Sequence, residues 1–365
     1  MKKREELHII GSQLRVARES MALSIEEVAS ELALQPLKIK HWETSVEEPS
    51  IELLWQLAEL YNRSTDFFLK ETKPFPQDVA FRLSKHKQLA QLSFESRKVL
   101  VLFEELCRAE SELENLLGRR HQVNIKRLQN GKDAESLAVN ERKRLTLDEE
   151  PIPNRSKNRD VRTLLTEQGI RIFELPVKEA EFAGFSLWHP DYGPCMLVNA
   201  KDIPGRRAFT MAHEYAHFIL SAPPSLCDLN VDESEEHFAN EFAASFLIPA
   251  SDLRKQFENR GLVGRLPTEA ELNPLKLRYG VSLEALARRL EKIGLVPYGF
   301  TDKYKDSWQI APKFRGSKKP LWKRRLGKHY VDLAFKSYSE GRISIGKLAQ
   351  YLGVDVRKAI EETRK

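Results

Sequence analysis

Apolar residues in the first seventy positions recur in short amphipathic stretches separated by turn-length breaks, which predicts several short helices over residues 10–69. The segment Ser24-Ile-Glu-Glu27 has the spacing of a capping box and predicts the start of one helix. Gln35 and Pro36 suit the cap and the first position of the next helix. The apolar positions expected to pack these two helices together are Val28, Ala29, Leu32, Leu34, Ile39 and Trp42.

A longer amphipathic pattern covers residues 92–117, where Leu, Val and Phe recur at three- and four-residue intervals among charged residues. This pattern predicts a helical connector. Charged and polar residues dominate residues 118–159, which predicts a mobile linker or a partly helical spacer.

Three short runs rich in β-branched and aromatic residues follow Arg162, bounded by glycine or proline, and predict strands at residues 170–175, 182–188 and 195–199. Helical patterns follow over residues 205–295. After a basic stretch at 313–328, two more helical patterns extend to Lys365, and one of them has apolar spacing typical of a helix-turn-helix. No internal repeat of useful strength is visible.

These patterns predict a multidomain, mainly α chain in four regions. An all-α helix-turn-helix unit is expected at residues 8–70 and a helical connector and linker at 71–160. An α/β domain with a small sheet is expected at 161–297, and a basic, helical C-terminal region at 298–365.

The composition indicates the cellular compartment and the class of binding partner. The net charge of +6 suits an anionic partner such as DNA, although 31% of all residues are charged and the excess is modest. The three cysteines lack paired metal-site spacing, which favours a reducing cytoplasm. No apolar run has the length needed to cross a bilayer, so a membrane is not an expected partner.

The strongest chemical signal is the run His213-Glu-Tyr-Ala-His217. Two histidines four residues apart share one face of a helix and can bind one metal ion. Glu214 follows the first histidine, where a carboxylate can activate a water molecule at the metal. The alternative is a buried helix whose histidines are satisfied by hydrogen bonds.

A third protein ligand is expected from the acidic segment at residues 232–249, and Glu236 is our choice. Asn240, one turn later, could orient a ligating histidine through a hydrogen bond. A solvated helix start, favoured by the helix dipole, is the competing explanation of the acidic cluster. The other candidate ligands on this helix are Glu235, His237 and Glu241.

Residues 207–217 and 236–249 resemble the ImmA/IrrE family of metallopeptidases. The first stretch matches the family pattern Arg-x-Phe-Thr-x-Ala-His-Glu-x-x-His, and the second matches a Glu-x-x-Ala-Asn-x-Phe-Ala-Ala helix that ends in proline. The likeness spans about residues 162–297. Tyr215 and Ala216 depart from the Leu-Gly that is common inside the motif, and no residue stands out as an oxyanion stabiliser.

The resemblance implies a small α/β peptidase fold with His213, His217 and Glu236 as metal ligands and Glu214 as general base. The expected metal is zinc, with manganese as the alternative. Members of this family typically cut a transcriptional repressor, so a repressor is the expected protein substrate.

The N-terminal unit resembles the XRE (Cro-repressor-type) helix-turn-helix. The residues that carry the likeness are Gly11, Leu14, Arg15, Arg18, Leu23, Ser24, Val28, Ala29, Trp42, Glu43, Pro49 and Ser50. Ile25 departs from the pattern, since a phosphate-binding glutamine is common there. The DNA contacts that the resemblance implies are Pro36, Leu37, Lys38 and His41, with Arg15 and Arg18 toward phosphates.

The sequence thus predicts a cytoplasmic, DNA-associated regulatory metallopeptidase that cuts a protein substrate. DNA and that substrate are the expected partners, with a homodimer as a further option. The alternative function is a non-proteolytic DNA-binding regulator, or an antitoxin-like partner protein, in which the metal stabilises an interaction surface.

Overall fold

Five helices form the N-terminal unit in a computed structural model of the chain, which describes residues 2–69, 92–120, 122–126, 133–147, 149–152, 159–179, 182–220, 233–308 and 320–364. The helices are α1 (Lys2–Ser20), α2 (Ile25–Glu31), α3 (Pro36–Glu43), α4 (Ile51–Leu60) and α5 (Thr65–Phe68). Both halves of the predicted capping box at Ser24 and Glu27 are present. Trp42 and Tyr61 are fully buried among the apolar residues of this unit.

The predicted connector helix is confirmed as α6 (Phe94–Leu116). It contacts the N-terminal unit through Arg63, whose buried guanidinium pairs with Glu104 and Glu105 at 2.5 Å each. Asn62 also donates a hydrogen bond to the carbonyl oxygen of Lys98. The N-terminal unit is therefore packed against α6 through its Asn62 and Arg63 side chains.

Two short helices precede the sheet, α7 (Ala134–Arg144) and α8 (Val161–Glu167). The sheet has three strands, β1 (Arg171–Leu175), β2 (Gly184–His189) and β3 (Gly193–Asn199), in the order β1-β3-β2. The pair β1 and β3 is parallel, and β2 and β3 form an antiparallel hairpin. All three predicted strands are confirmed.

Helices cover both faces of the sheet. On one face Ile172, Met196 and Val198 share an apolar core with α9 (Pro204–Leu220) and α10 (Glu233–Leu247). Further helices complete that side of the molecule. They are α11 (Ala250–Asn259), α12 (Glu269–Tyr279), α13 (Leu283–Lys292) and α14 (Phe300–Tyr304).

The other face of the sheet packs against α6 and the C-terminal helices. Phe103 of α6 lies edge-on to Phe173 and Phe185, with ring centroids 6.2 and 5.5 Å apart, and Phe173 is also in contact with Tyr330. The C-terminal helices are α15 (Leu321–Leu326), α16 (Lys328–Ser339), α17 (Ile345–Leu352) and α18 (Val356–Thr363). Residues 313–319 of the predicted basic stretch lie outside the described residues.

The stretch expected to be a mobile linker or a partly helical spacer contains α7, and one face of this helix is buried. Ala134, Leu137 and Ala138 join the core around α9 and α10. Glu135 of α7 is paired with another helix, since Arg289 of α13 binds both of its carboxylate oxygens at 2.6 Å. Part of the charge of this stretch thus lies in internal ion pairs, which a sequence pattern does not distinguish from a solvated surface.

None of the described helices is long and apolar enough to cross a lipid bilayer.

Two adjacent arginines of α13 provide a test of the buried ion pair between Arg289 and Glu135. Arg289 is 1% exposed, and its replacement by alanine removes the cation that pairs with Glu135 and the donor to the carbonyl oxygen of Ile248, so we expect Arg289→Ala to lower the free energy of unfolding by about 3 kcal/mol. Arg288 makes an exposed pair with Glu284, and Arg288→Ala should cost about 0.5 kcal/mol or less. Urea unfolding of both variants measures the difference, and equal midpoints would contradict the structural role given to Arg289.

Candidate metal centre

Helix α9 carries the HExxH motif and is anchored at its first turn. Arg207 donates hydrogen bonds to the carbonyl oxygens of Ala200 and Asp202 and lies 3.2 Å from a carboxylate oxygen of Glu174 in β1. Gly205 lies so close to Val281 that an added Cβ would be 2.5 Å from the Val281 carbonyl carbon. These contacts fix the start of α9 relative to the sheet and to the turn before α13.

Three potential ligand atoms converge between α9 and α10. The Nε2 atoms of His213 and His217 are 3.2 Å apart. One carboxylate oxygen of Glu236 lies 3.2 Å from His213 Nε2, and the other lies 3.3 Å from His217 Nε2. The structure thus brings the predicted ligands together although α9 and α10 are separate along the chain.

These separations fit a tetrahedral metal ion. Zinc binds imidazole nitrogen and carboxylate oxygen at about 2.0–2.2 Å, and tetrahedral angles then separate the ligand atoms by roughly 3.3 Å. Two neutral imidazoles and one carboxylate are also donors that suit zinc and similar divalent ions. The residues present therefore fit the metal that the sequence implies.

Asn240 orients the first histidine. Its Oδ1 lies 3.0 Å from Nδ1 of His213 and accepts a hydrogen bond from it, so in the neutral ring the Nε2 lone pair faces the other candidate ligands. Burial lowers the pKa of His213, but the hydrogen bond to Glu236 and the charges of Glu214 and Glu236 outweigh it and raise that pKa overall. Protons would therefore compete with a metal for this ring as the pH falls.

Hydrogen bonds from the two histidines hold the pKa of Glu236 well below its usual range, with burial acting in the opposite direction. The carboxylate is consequently ionised, as a metal ligand must be. The other candidates on α10 point elsewhere. Glu235 and His237 are exposed, and Glu241 pairs with Lys292 at 2.9 Å.

Glu214 lies on the same helix as the two histidines, and its carboxylate accepts a hydrogen bond from Ser186 Oγ in β2 at 2.5 Å. Ser186 did not emerge from the sequence, because a serine in a short strand carries no local signal of its partner. The antiparallel register of β2 and β3 places Ser186 opposite Met196, on the face of the sheet that α9 covers.

The comparisons with known proteins bear on this part of the chain. Residues 165–291 match the Peptidase_M78 family model, which is described as the IrrE N-terminal-like domain. This segment is similar to an ImmA/IrrE-type metallopeptidase domain. The match to the IrrE-like domain includes α9 and α10 with all three potential ligands, but not the N-terminal unit. A search of curated proteins finds no match for the chain.

The predicted DNA contacts are distributed unevenly over the N-terminal unit. Pro36, Leu37 and Lys38 are exposed on α3, and His41 is partly exposed. Arg15 is exposed and pairs with Glu19 within α1. This part of the prediction stays untested.

Arg18 is bound within the N-terminal unit. Its guanidinium binds both carboxylate oxygens of Glu43 at 2.7 and 2.9 Å and donates to the carbonyl oxygen of Leu23, and its side chain is only 12% exposed. In this conformation Arg18 joins α1 to α3, and its contact with a phosphate stays a prediction. The sequence could not reveal this, because Arg18 and Glu43 are 25 positions apart.

A pair of glutamates on α10 tests the ligand assignment. We expect Glu236→Ala to lower the metal content of the purified protein at least tenfold, because the change removes the anionic ligand and leaves only the two histidines. Glu241→Ala, the matched change one and a half turns away, should retain the metal. Elemental analysis after dialysis distinguishes the two, and equal metal contents would remove Glu236 as a ligand.

Proposed function

We propose that the chain is a metal-dependent endopeptidase that hydrolyses a peptide bond in a protein substrate. The observation that carries this proposal is the convergence of His213, His217 and Glu236 at separations of 3.2–3.3 Å, with Glu214 one residue after the first ligand. A metal site that only stabilised the fold would not require the Glu214 carboxylate next to its first ligand.

A divalent metal bound here would polarise a peptide carbonyl and acidify water. Glu214 would accept the proton of the attacking water and pass it to the leaving amine, as a general base and then a general acid. The Ser186 hydroxyl fixes one oxygen of the Glu214 carboxylate, which leaves the other oxygen for this transfer. Ser186 is thus a positioning residue in the proposed reaction.

The sheet offers a docking edge for the substrate. β2 is an outer strand of the described three-stranded sheet and contributes Ser186, which donates a hydrogen bond to Glu214. An extended peptide that added to this edge would bring its carbonyl groups near Glu214, and such strand addition needs no particular side chains. Selectivity for one protein would then come from contacts outside the cleft.

A transcriptional repressor is the substrate class we favour, on the strength of the resemblance to the ImmA/IrrE family. The helix-turn-helix-like N-terminal unit supports this choice, because it is packed against α6 next to the peptidase domain and could position a partner there.

The first test compares cells that contain the native chain with cells that contain Glu214→Gln, by mass spectrometry of new protein N-termini under resting and stressed conditions. We expect new termini in one repressor in the native strain alone, since loss of the general base should slow cleavage about a thousandfold. Glu241→Gln serves as the matched control and should cleave normally. Absence of new termini in every strain would favour the non-proteolytic regulator.

The role of Ser186 is tested on the substrate so identified. Ser186→Ala should lower kcat about tenfold and leave KM and metal content nearly unchanged, because a hydrogen bond to a charged group is lost. Ser186→Thr keeps the hydroxyl and should restore most of the activity. Native kcat in Ser186→Ala would show that Glu214 is positioned without this contact.

A further inference from the structure

The pair α17 and α18 repeats the geometry of α2 and α3 at a constant offset of 320 residues. Ser24 and Ser344 each cap the first helix and accept a hydrogen bond from the third residue that follows. The turn residues Ala33 and Gly353 both adopt positive φ, at 53° and 61°. The next residue then donates to the fifth residue before it, Leu34 to Ala29 and Val354 to Ala349.

Burial follows the same register. The buried residues Val28, Ala29 and Ile39 correspond to Leu348, Ala349 and Ala359, which are also buried. The sequence alone had indicated no useful repeat, because the two segments share hydrogen-bond positions and apolar spacing but few identical residues. The chain therefore contains two helix-turn-helix units, one on each side of the peptidase domain.

The two units differ in charge. Residues 8–69 contain five lysines and arginines and ten aspartates and glutamates, which gives a net charge of −5. Residues 320–364 contain ten lysines and arginines and five aspartates and glutamates, a net charge of +5. DNA phosphates are attracted to the second unit and repelled by the first.

The difference extends to the start of the first helix, where a helix-turn-helix approaches the DNA backbone. In α2 the exposed residues Glu26 and Glu27 occupy these positions. The equivalent residues in α17 are Gly346 and Lys347. An anion is favoured at the N-terminus of α17, whereas the two carboxylates of α2 oppose it.

The outer face of α18 is open to a ligand among the described residues. Val356 and Ile360 are 45% and 37% exposed, and the side chain of Arg357 is 92% exposed. Arg364 is also exposed. On the inner side, Ala359 is buried and Glu362 pairs with Lys323 at 2.5 Å, which fixes α18 against α15.

We propose that α17 and α18 bind double-stranded DNA, with α18 in the major groove. Arg357 can contact a phosphate or a guanine edge, Val356 and Ile360 can pack against thymine methyl groups, and Arg364 can reach the backbone. Glu361 opposes this binding, since it is a carboxylate on the outer face that lies 3.0 Å from Lys358 and 3.9 Å from Arg357. This site is separate from the predicted DNA contacts on α3 and does not depend on peptidase activity.

The test measures binding of the full chain to a random-sequence duplex of about 25 base pairs by fluorescence anisotropy at several salt concentrations. The combined change Arg357→Ala and Arg364→Ala should weaken binding at least tenfold near 50 mM salt and lower the slope of log affinity against log salt by about 2. The matched change Arg260→Ala and Arg265→Ala, which removes two exposed arginines outside both helix-turn-helix units, should alter affinity less than twofold.

Glu361→Gln provides a change of opposite sign that loss of folding cannot imitate. It removes a carboxylate from the outer face and frees Arg357 and Lys358, so we expect affinity to increase severalfold. The proposal is overturned if the native chain does not bind the duplex at low salt. It is also overturned if Lys38→Ala with Lys40→Ala on α3 abolishes binding and the α18 variants have no effect, which would assign DNA to the N-terminal unit.

Discussion

The separation between α9 and α10 is the constraint on which the candidate metal centre depends, and the buried polar side chains of α7 set it. Glu141 of α7 accepts a hydrogen bond from the hydroxyl of Tyr215 in α9, and Arg142 donates to the carbonyl oxygen of Phe246 in α10. Ser245 of α10 also donates to Glu135 at 2.8 Å. Because α7 binds both α9 and α10, the imidazoles of His213 and His217 and the carboxylate of Glu236 lie within little more than 3 Å of one another.

This arrangement explains why tyrosine occupies the position where the ImmA/IrrE pattern commonly has leucine. The Tyr215 ring packs against Phe242 and Phe246, while its hydroxyl contacts Glu141 and Arg144. A leucine could fill part of the apolar space but has no hydroxyl to donate to Glu141, which would keep only its contacts with Arg144. Burial and the nearby Glu141 charge both raise the pKa of Tyr215, so the hydroxyl keeps its proton and continues to donate. Such buried polar contacts specify position more than they add stability.

The features that the sequence predicts well are those with local signals. The strands follow from runs of apolar residues bounded by glycine or proline, and His213, Glu214 and His217 follow from their spacing on one helix. Glu236 needed the second motif in addition. Ser186, the burial of α7 and the inward turn of Arg18 escaped prediction, because each depends on a partner far along the chain that decides whether a polar side chain is solvated or paired.

The family match begins at residue 165, beyond both α6 and α7, yet these helices cover the sheet and join the ligand-bearing helices. In evolutionary terms, the segment that the family model recognises is shorter than the segment that could be transferred to another protein and still hold α9 and α10 in place. A recombination event that transferred residues 165–291 alone would carry Arg289 and Tyr215 into a new chain without Glu135 and Glu141. Selection should therefore keep α6 and α7 together with the segment that carries the candidate metal centre.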